Sequence, residues 1–161
     1  MKLIVHAPHS VLTTPAQPVT DFGKPLAKLI KEMSETLLAC TNPKGVGLAA
    51  PQVGVRLRVF ITKPDAKSVL RVFINPEIIS SSDDQTDGVP ERSNKLEGCL
   101  SIPKIWGKVK RAARIKIRYY DQTGGVHEED FKGFMATIVQ HETDHINGIL
   151  YTQRVLEQKG K

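Results

Sequence analysis

The sequence predicts an α+β domain, on three observations. Apolar residues recur at helical spacing across 24–40. Runs rich in β-branched and aromatic residues fill 57–63, 69–79 and the stretch after 113. A second helical segment follows Gly133, so strands are bracketed by an early and a late helix. With 161 residues, the chain suits one domain spanning 1–161 and is long enough to bury a sizeable core.

In 24–40, Leu26, Leu29, Ile30, Met33 and Leu37 share one helical face. Thr20 or Asp21 would cap its start, and TNPKG at 41–45 ends it. LRVFITK (57–63) and VLRVFINPEII (69–79) read as two strands turning at KPDA. SSSDDQTDGVPERSN (80–94) is polar and turn-rich, and reads as an exposed loop. ARIKIRYYD and VHEEDFK flank QTGG (122–125) in the form of a hairpin. The last helix starts near Gly133, carries FMATIVQHETDHIN and has Gly148 placed as its C′ residue.

Composition narrows the function classes. Apolar residues make up 40% and charged residues 25%, as in ordinary soluble domains. No run approaches the roughly 18 apolar residues of a membrane span. The opening MKLIVHAPHSVL has a short apolar run broken by His6, Pro8 and His9, too little for a signal peptide, so the cytoplasm is the expected compartment. Two cysteines, Cys40 and Cys99, make no disulfide framework and suit packing, metal binding or catalysis. Net charge is +6, but the basic residues are scattered apart from 63–67 and 108–114, with no aromatics between them to stack bases. That reads as a solvated basic surface suited to an anionic neighbourhood such as RNA.

The sharpest motif is QHETDHINGILY at 140–151. His141 and His145, four apart on a helix, lie about 6 Å apart along its axis and can share one ion. Glu142 is turned roughly 100° away and can move the proton of a water that the ion acidifies. Phe134, Thr137 and Ile138 stand one and two turns before His141 on its own face, able to wall an apolar pocket or simply to pack the core.

Two histidines leave a third ligand to find. In the pattern HExxHxxGxxH, Tyr151 occupies the third histidine's place, and Glu157 is the one acid downstream. The ligand therefore lies upstream, among His6, His9, Cys40, Cys99, His127 or a carboxylate. Cys99, in NKLEGCLSIP (94–103), stands out: a soft thiolate completes a His2Cys set with one position open. GVGLAAPQVG (45–54) lacks the GK[ST] of a phosphate loop, yet its small residues permit close backbone approach. Gln52 there offers an amide donor for a developing oxyanion.

Together, GVGLAAPQ (45–52), EGCLS (97–101) and QHETDH (140–145) resemble the peptide deformylase family, which carries GxGxAAxQ, EGCLS and QHExDH in this order. The resemblance spans most of the chain and implies mixed antiparallel sheets around a central metal-bearing helix. It implies Cys99, His141 and His145 as metal ligands, Glu142 as general acid and base, and Gln52 with the backbone N–H of Leu100 as the oxyanion hole. The implied reaction hydrolyses the N-formyl group from the initiator methionine of a nascent peptide and releases formate. Backbone at Val46 and Gly47 would hold the peptide extended, and Val46, Phe134 and Ile138 would receive the methionine side chain. Ligand softness alone favours Zn²⁺; the resemblance implies Fe²⁺, with Ni²⁺, Co²⁺ or Zn²⁺ able to replace it. Glu97 and Asp144 read as residues that orient the ligands.

The chain departs from the family pattern in three places, the first being the loop 80–94, which is longer than the resemblance implies and reads as either a mobile lid or a disordered segment. Trp106 stands where many relatives carry an arginine, leaving Arg111 as either a substrate contact or a surface charge. The tail TQRVLEQKGK is short beside the C-terminal helix that some bacterial members dock at the ribosome. The partners implied are the formylmethionyl nascent peptide and, beside it, the ribosome, with no specific nucleic acid and no membrane. A general metallopeptidase, an inactive metal-bound module and a salt-sensitive RNA binder are the competing readings; intact Glu142 and Gln52 favour turnover.

Overall fold

Val59 and Ile61 project to one side of a sheet and Phe60 to the other, and all three are fully buried. The run 57–63 reads as continuously apolar because this sheet has a helix on each face. The computed structural model describes residues 1–90 and 92–159. Among these, nine strands run in chain order: β1 (Gly47–Ala49), β2 (Val59–Thr62), β3 (Arg71–Ser81), β4 (Gln85–Asp87), β5 (Glu97–Cys99), β6 (Ile102–Gly107), β7 (Lys110–Ala112), β8 (Arg114–Tyr120) and β9 (Val126–Lys132). Three α-helices join them: α1 (Lys24–Ala39), α2 (Gly133–Ile146) and α3 (Tyr151–Lys159).

The main sheet is antiparallel, in the order β1-β2-β3-β8-β9. On one face α1 lays down Leu26, Leu29, Ile30, Met33 and Leu37 against Leu48, Val59, Ile61 and Ile74. On the other, Ala136, Val139 and Ile146 of α2 meet Ala49, Phe60, Phe73, Ile117 and Phe131. Phe60 and Phe73 stack at 4.8 Å between ring centres; truncating either to alanine costs about 3–5 kcal/mol. The expected α+β class is therefore observed, with α2 held in the middle. No described helix is long and apolar enough to cross a membrane.

The predicted hairpin is β8–β9, turned by Asp121, whose carboxylate accepts from the backbone N–H of Thr123 and of Gly125, both at 2.9 Å. In β3, Pro76 has no N–H to give the ladder. The register against β8 shifts between Ile74 and Glu77 accordingly. Asn75, with φ 49°, uses the bulge to bond both backbone groups of Val19 at 2.7 and 2.9 Å.

Three expectations are corrected. The cap of α1 is Gly23 with no side-chain bond; Asp21 instead accepts from Gly23 N at 2.8 Å, and Pro25 sits in the first turn. The segment 80–94 is not simply an exposed loop: β3 continues to Ser81, β4 pairs with β7, and Val89 is buried, while Glu91 lies outside the described residues. Nor is α2 the last helix. α3 follows it, pinned by Tyr151 Oη donating to Ile105 O at 2.8 Å and by Gln158 bonding both backbone groups of Lys110.

Candidate metal centre

α2 presents its histidines one turn apart, with ring centres 5.0 Å from each other. The helix stops where predicted: Asn147 caps it and Gly148, at φ 77°, takes the C′ position. Cys99 ends β5, in a two-stranded ribbon with β6. At its neighbour Gly98 a Cβ would lie 2.4 Å from the Trp106 ring, so a side chain there would have to displace the indole. One ligand atom each from Cys99, His141 and His145 lies within 4.8 Å of the others. The Cys99 Sγ is 3.3 Å from Nε2 of His145.

Of the other suggested third ligands, exposed His6 is not part of this group, and three are engaged elsewhere. Cys40 donates to Thr36 O at 3.2 Å, His127 pairs with Asp121 at 2.6 Å, and His9 accepts from Val11 N at 3.1 Å. Tyr151, in the place of a third histidine, stacks on His141 at 5.9 Å.

These donors suit a divalent ion. His141 donates through Nδ1 to Glu97 at 2.8 Å, which leaves Nε2 for coordination. Nδ1 of His145 is buried without a partner among the described residues. Burial, then the positive charge of neighbouring His141 and Arg111, holds the His145 imidazole well below its ordinary pKa. At His141 burial also acts downward, but the contacts with Cys99 and Glu97 outweigh it and raise that imidazole well above its ordinary value, so an ion binding there would displace a proton.

Glu97 is fixed from behind by Arg111, whose Nε and Nη2 donate to its two oxygens at 2.6 and 2.9 Å. The third fork of Arg111 donates to Asp144 at 3.0 Å, and Arg154 of α3 donates to both oxygens of Asp144. Burial alone would raise the Glu97 carboxyl, but the His141 and Arg111 bonds outweigh it and hold it down to about 2. Arg111 is 5% exposed and touches two carboxylates, so it is neither a surface charge nor a substrate contact. The sequence read it as one of those because it sits in a basic run. The clue was that the two motif acids, Glu97 and Asp144, require a cation once buried.

Glu142 is buried against Gly47, and its Oε2 has no partner among the described residues. Burial raises its carboxyl to about 7, with the positive charges of His141 and Arg111 acting against that rise. Gln52 is fixed at both ends of its amide. Oε1 accepts from Ala49 N at 3.0 Å, and Nε2 donates to Ser101 Oγ at 3.1 Å and reaches Cys99 Sγ at 3.5 Å. Sequence reasoning missed Ser101 as this anchor. One cavity opens over these groups; Val46, Gly47, Leu100, Phe134 and Ile138 line it beside Glu142. At its mouth Trp106 is 45% exposed, with the Arg92 guanidinium 5.7 Å from its ring centre.

A carboxylate poised near neutrality beside a Cys/His/His donor set, in a cavity on an α+β frame, defines a hydrolase able to use a metal ion. The polypeptide deformylase family model matches residues 1–161. Peptide deformylase 1 of Bacillus cereus is 41% identical over 152 residues, covering 94% of this chain and 90% of that one. Peptide deformylase 1 of Bacillus subtilis is 39% identical, covering 96% and 90%. The crystal structure of the Thermotoga maritima peptide deformylase superposes with a TM-score of 0.85 at 37% identity, over 96% of this chain and 97% of that one. A Met-Ala-Ser-bound peptide deformylase from Acinetobacter baumannii gives 0.84 at 36% identity, over 96% and 98%. The chain belongs to the polypeptide deformylase family.

Proposed function

We propose how this chain, a deformylase by family, removes the formyl group from nascent peptides. One divalent ion is held by Cys99, His141 and His145, Glu142 moves the proton, and residues 1–161 act as one catalytic unit. The observation that carries this reading is the buried Glu142 carboxylate oxygen, without a partner among the described residues, beside three convergent ligand atoms. When bound, the ion supplies Lewis acidity, polarising the formyl carbonyl and making the attacking water acidic. Fe²⁺ is the ion the family resemblance favours, with Ni²⁺, Co²⁺ or Zn²⁺ as substitutes.

Glu142 takes the water's proton and delivers it to the leaving amine. Gln52 Nε2, kept in place by Ala49 and Ser101, and the backbone N–H of Leu100 donate to the oxyanion as it develops. Val46 and Gly47 hold the peptide backbone extended. Val46, Phe134 and Ile138 take up the side chain of the initiator methionine. The relative described as bound to Met-Ala-Ser supports a peptide that begins with methionine. A nascent substrate sets the work in the cytoplasm beside the ribosome, where a net charge of +6 suits a phosphate-rich neighbourhood.

The test is formate release from an N-formyl-Met tripeptide by protein purified without oxygen and loaded with Fe²⁺ or Ni²⁺. Turnover should vanish in Glu142→Ala while one metal per chain remains. No turnover in the metal-loaded wild type would overturn the assignment, and cleavage of internal amides would favour a general metallopeptidase.

A further inference from the structure

We propose that Arg154, on the C-terminal helix, is a positioning residue of the metal centre. A continuous chain of charged hydrogen bonds runs from α3 to a ligand. Arg154 Nη2 and Nε donate to Asp144 at 2.9 and 3.2 Å, and Arg111 Nη1 donates to Asp144 at 3.0 Å. Arg111 Nε and Nη2 donate to Glu97 at 2.6 and 2.9 Å, and Glu97 accepts from His141 Nδ1 at 2.8 Å. Two carboxylates thus share two guanidiniums, Arg111 bonding both acids and Arg154 bonding Asp144 alone.

The fourth member differs from the rest. Arg111, Glu97 and Asp144 have side chains no more than 10% exposed, whereas Arg154 is 36% exposed and comes from a separate helix. Its removal leaves Asp144 with a single cationic partner, Arg111, which must also hold Glu97. A carboxylate short of positive charge draws Arg111 toward itself and slackens the fork that fixes Glu97. Asp144 also directly precedes His145, so its movement shifts the backbone that carries a second ligand. Both paths end on imidazoles whose orientation the ion requires. Among the described residues, Glu157 is the other carboxylate near Arg154, at 3.7 Å on the same helix, and it touches none of the centre. It therefore serves as a control.

The proposal rests on the metal-centre reading, and the experiment keeps the two apart. Zn²⁺ affinity is measured by chelator competition, and the ligand-field spectrum of the Co²⁺ form is recorded. Wild type is compared with Arg154→Ala, Arg154→Lys and Glu157→Ala, with the Tm of each metal-free protein measured in parallel. Arg154→Ala should bind Zn²⁺ on the order of 10-fold more weakly and shift the Co²⁺ bands. Arg154→Lys should recover part of that loss, and Glu157→Ala should match wild type. If Arg154→Ala lowers the metal-free Tm yet keeps the affinity and the spectrum, Arg154 merely fastens α3 and the proposal is overturned. If Arg154→Ala does not fold, Arg154→Lys decides: wild-type affinity and spectrum with one cationic bond lost overturn it, and weakened binding upholds it. A wild type that binds no metal would sink the metal-centre reading itself.

Discussion

Glu97 and His141 lie 44 residues apart in the chain, yet the histidine's Nδ1 donates to the carboxylate at 2.8 Å. That bond fixes which ring nitrogen would face a bound ion, and Arg111 fixes the carboxylate in turn. Glu97→Ala should thus do two things at once. It should destabilise the fold by about 3–5 kcal/mol, because Arg111 is left buried beside a missing partner. Metal affinity should also drop about 10- to 100-fold. Urea unfolding of the metal-free protein and chelator competition of the loaded one read the two effects separately.

Gly47 faces Glu142 so closely that a Cβ would lie 2.6 Å from Oε1. Gly47→Ala must push the carboxylate aside while leaving the three ligands alone. Turnover should fall on the order of 100-fold, the usual consequence of a catalytic group misplaced by about 1 Å. Bound metal per chain should stay at the wild-type value. A variant with wild-type kcat would show that Glu142 does not act from the position seen here.

Gly148 ends α2 at φ 77°, and a Cβ there would lie 3.0 Å from the backbone of Thr13. Gly148→Ala combines left-handed backbone, about 1–2 kcal/mol for an L-residue, with that contact. A loss of at least about 1 kcal/mol in chemical denaturation is expected, with kcat per folded molecule close to wild type.

Asp121 carries the pH prediction. Its hydrogen bond with His127, then those from Thr123 and Gly125, hold the carboxyl below its usual range. A depressed folded pKa stabilises above the unfolded value and ceases to do so as pH falls. The Tm gap between wild type and Asp121→Asn should therefore shrink as pH falls below about 4. A gap that widened below that pH would contradict the assignment.

The helical site was legible in the sequence because its spacing is local. His141, Glu142 and His145 share one helix, and Gly148 marks its end. Cys99, His141 and His145 do converge, and Val46, Gly47, Phe134 and Ile138 do line the cavity above them. What the sequence hid depends on partners distant in the chain. β4, β5 and β7 are three residues each, too short to show a period. In β7 the order is exposed Lys110 and then buried Arg111, a strand alternation disguised by two like charges. α3 went unread because one of its residues, Tyr151, is buried and the rest carry little apolar signal.

The proposed ligands also straddle the architecture. Cys99 belongs to the β5–β6 ribbon, outside the main sheet, and His145, 46 residues later, belongs to the central helix. An ion held as proposed would act as a removable cross-link between them, since whatever binds only the folded form stabilises it by mass action. On that reading, metal supply would govern how long a molecule survives as well as whether it works, because a copy without its ion would open more readily to proteases.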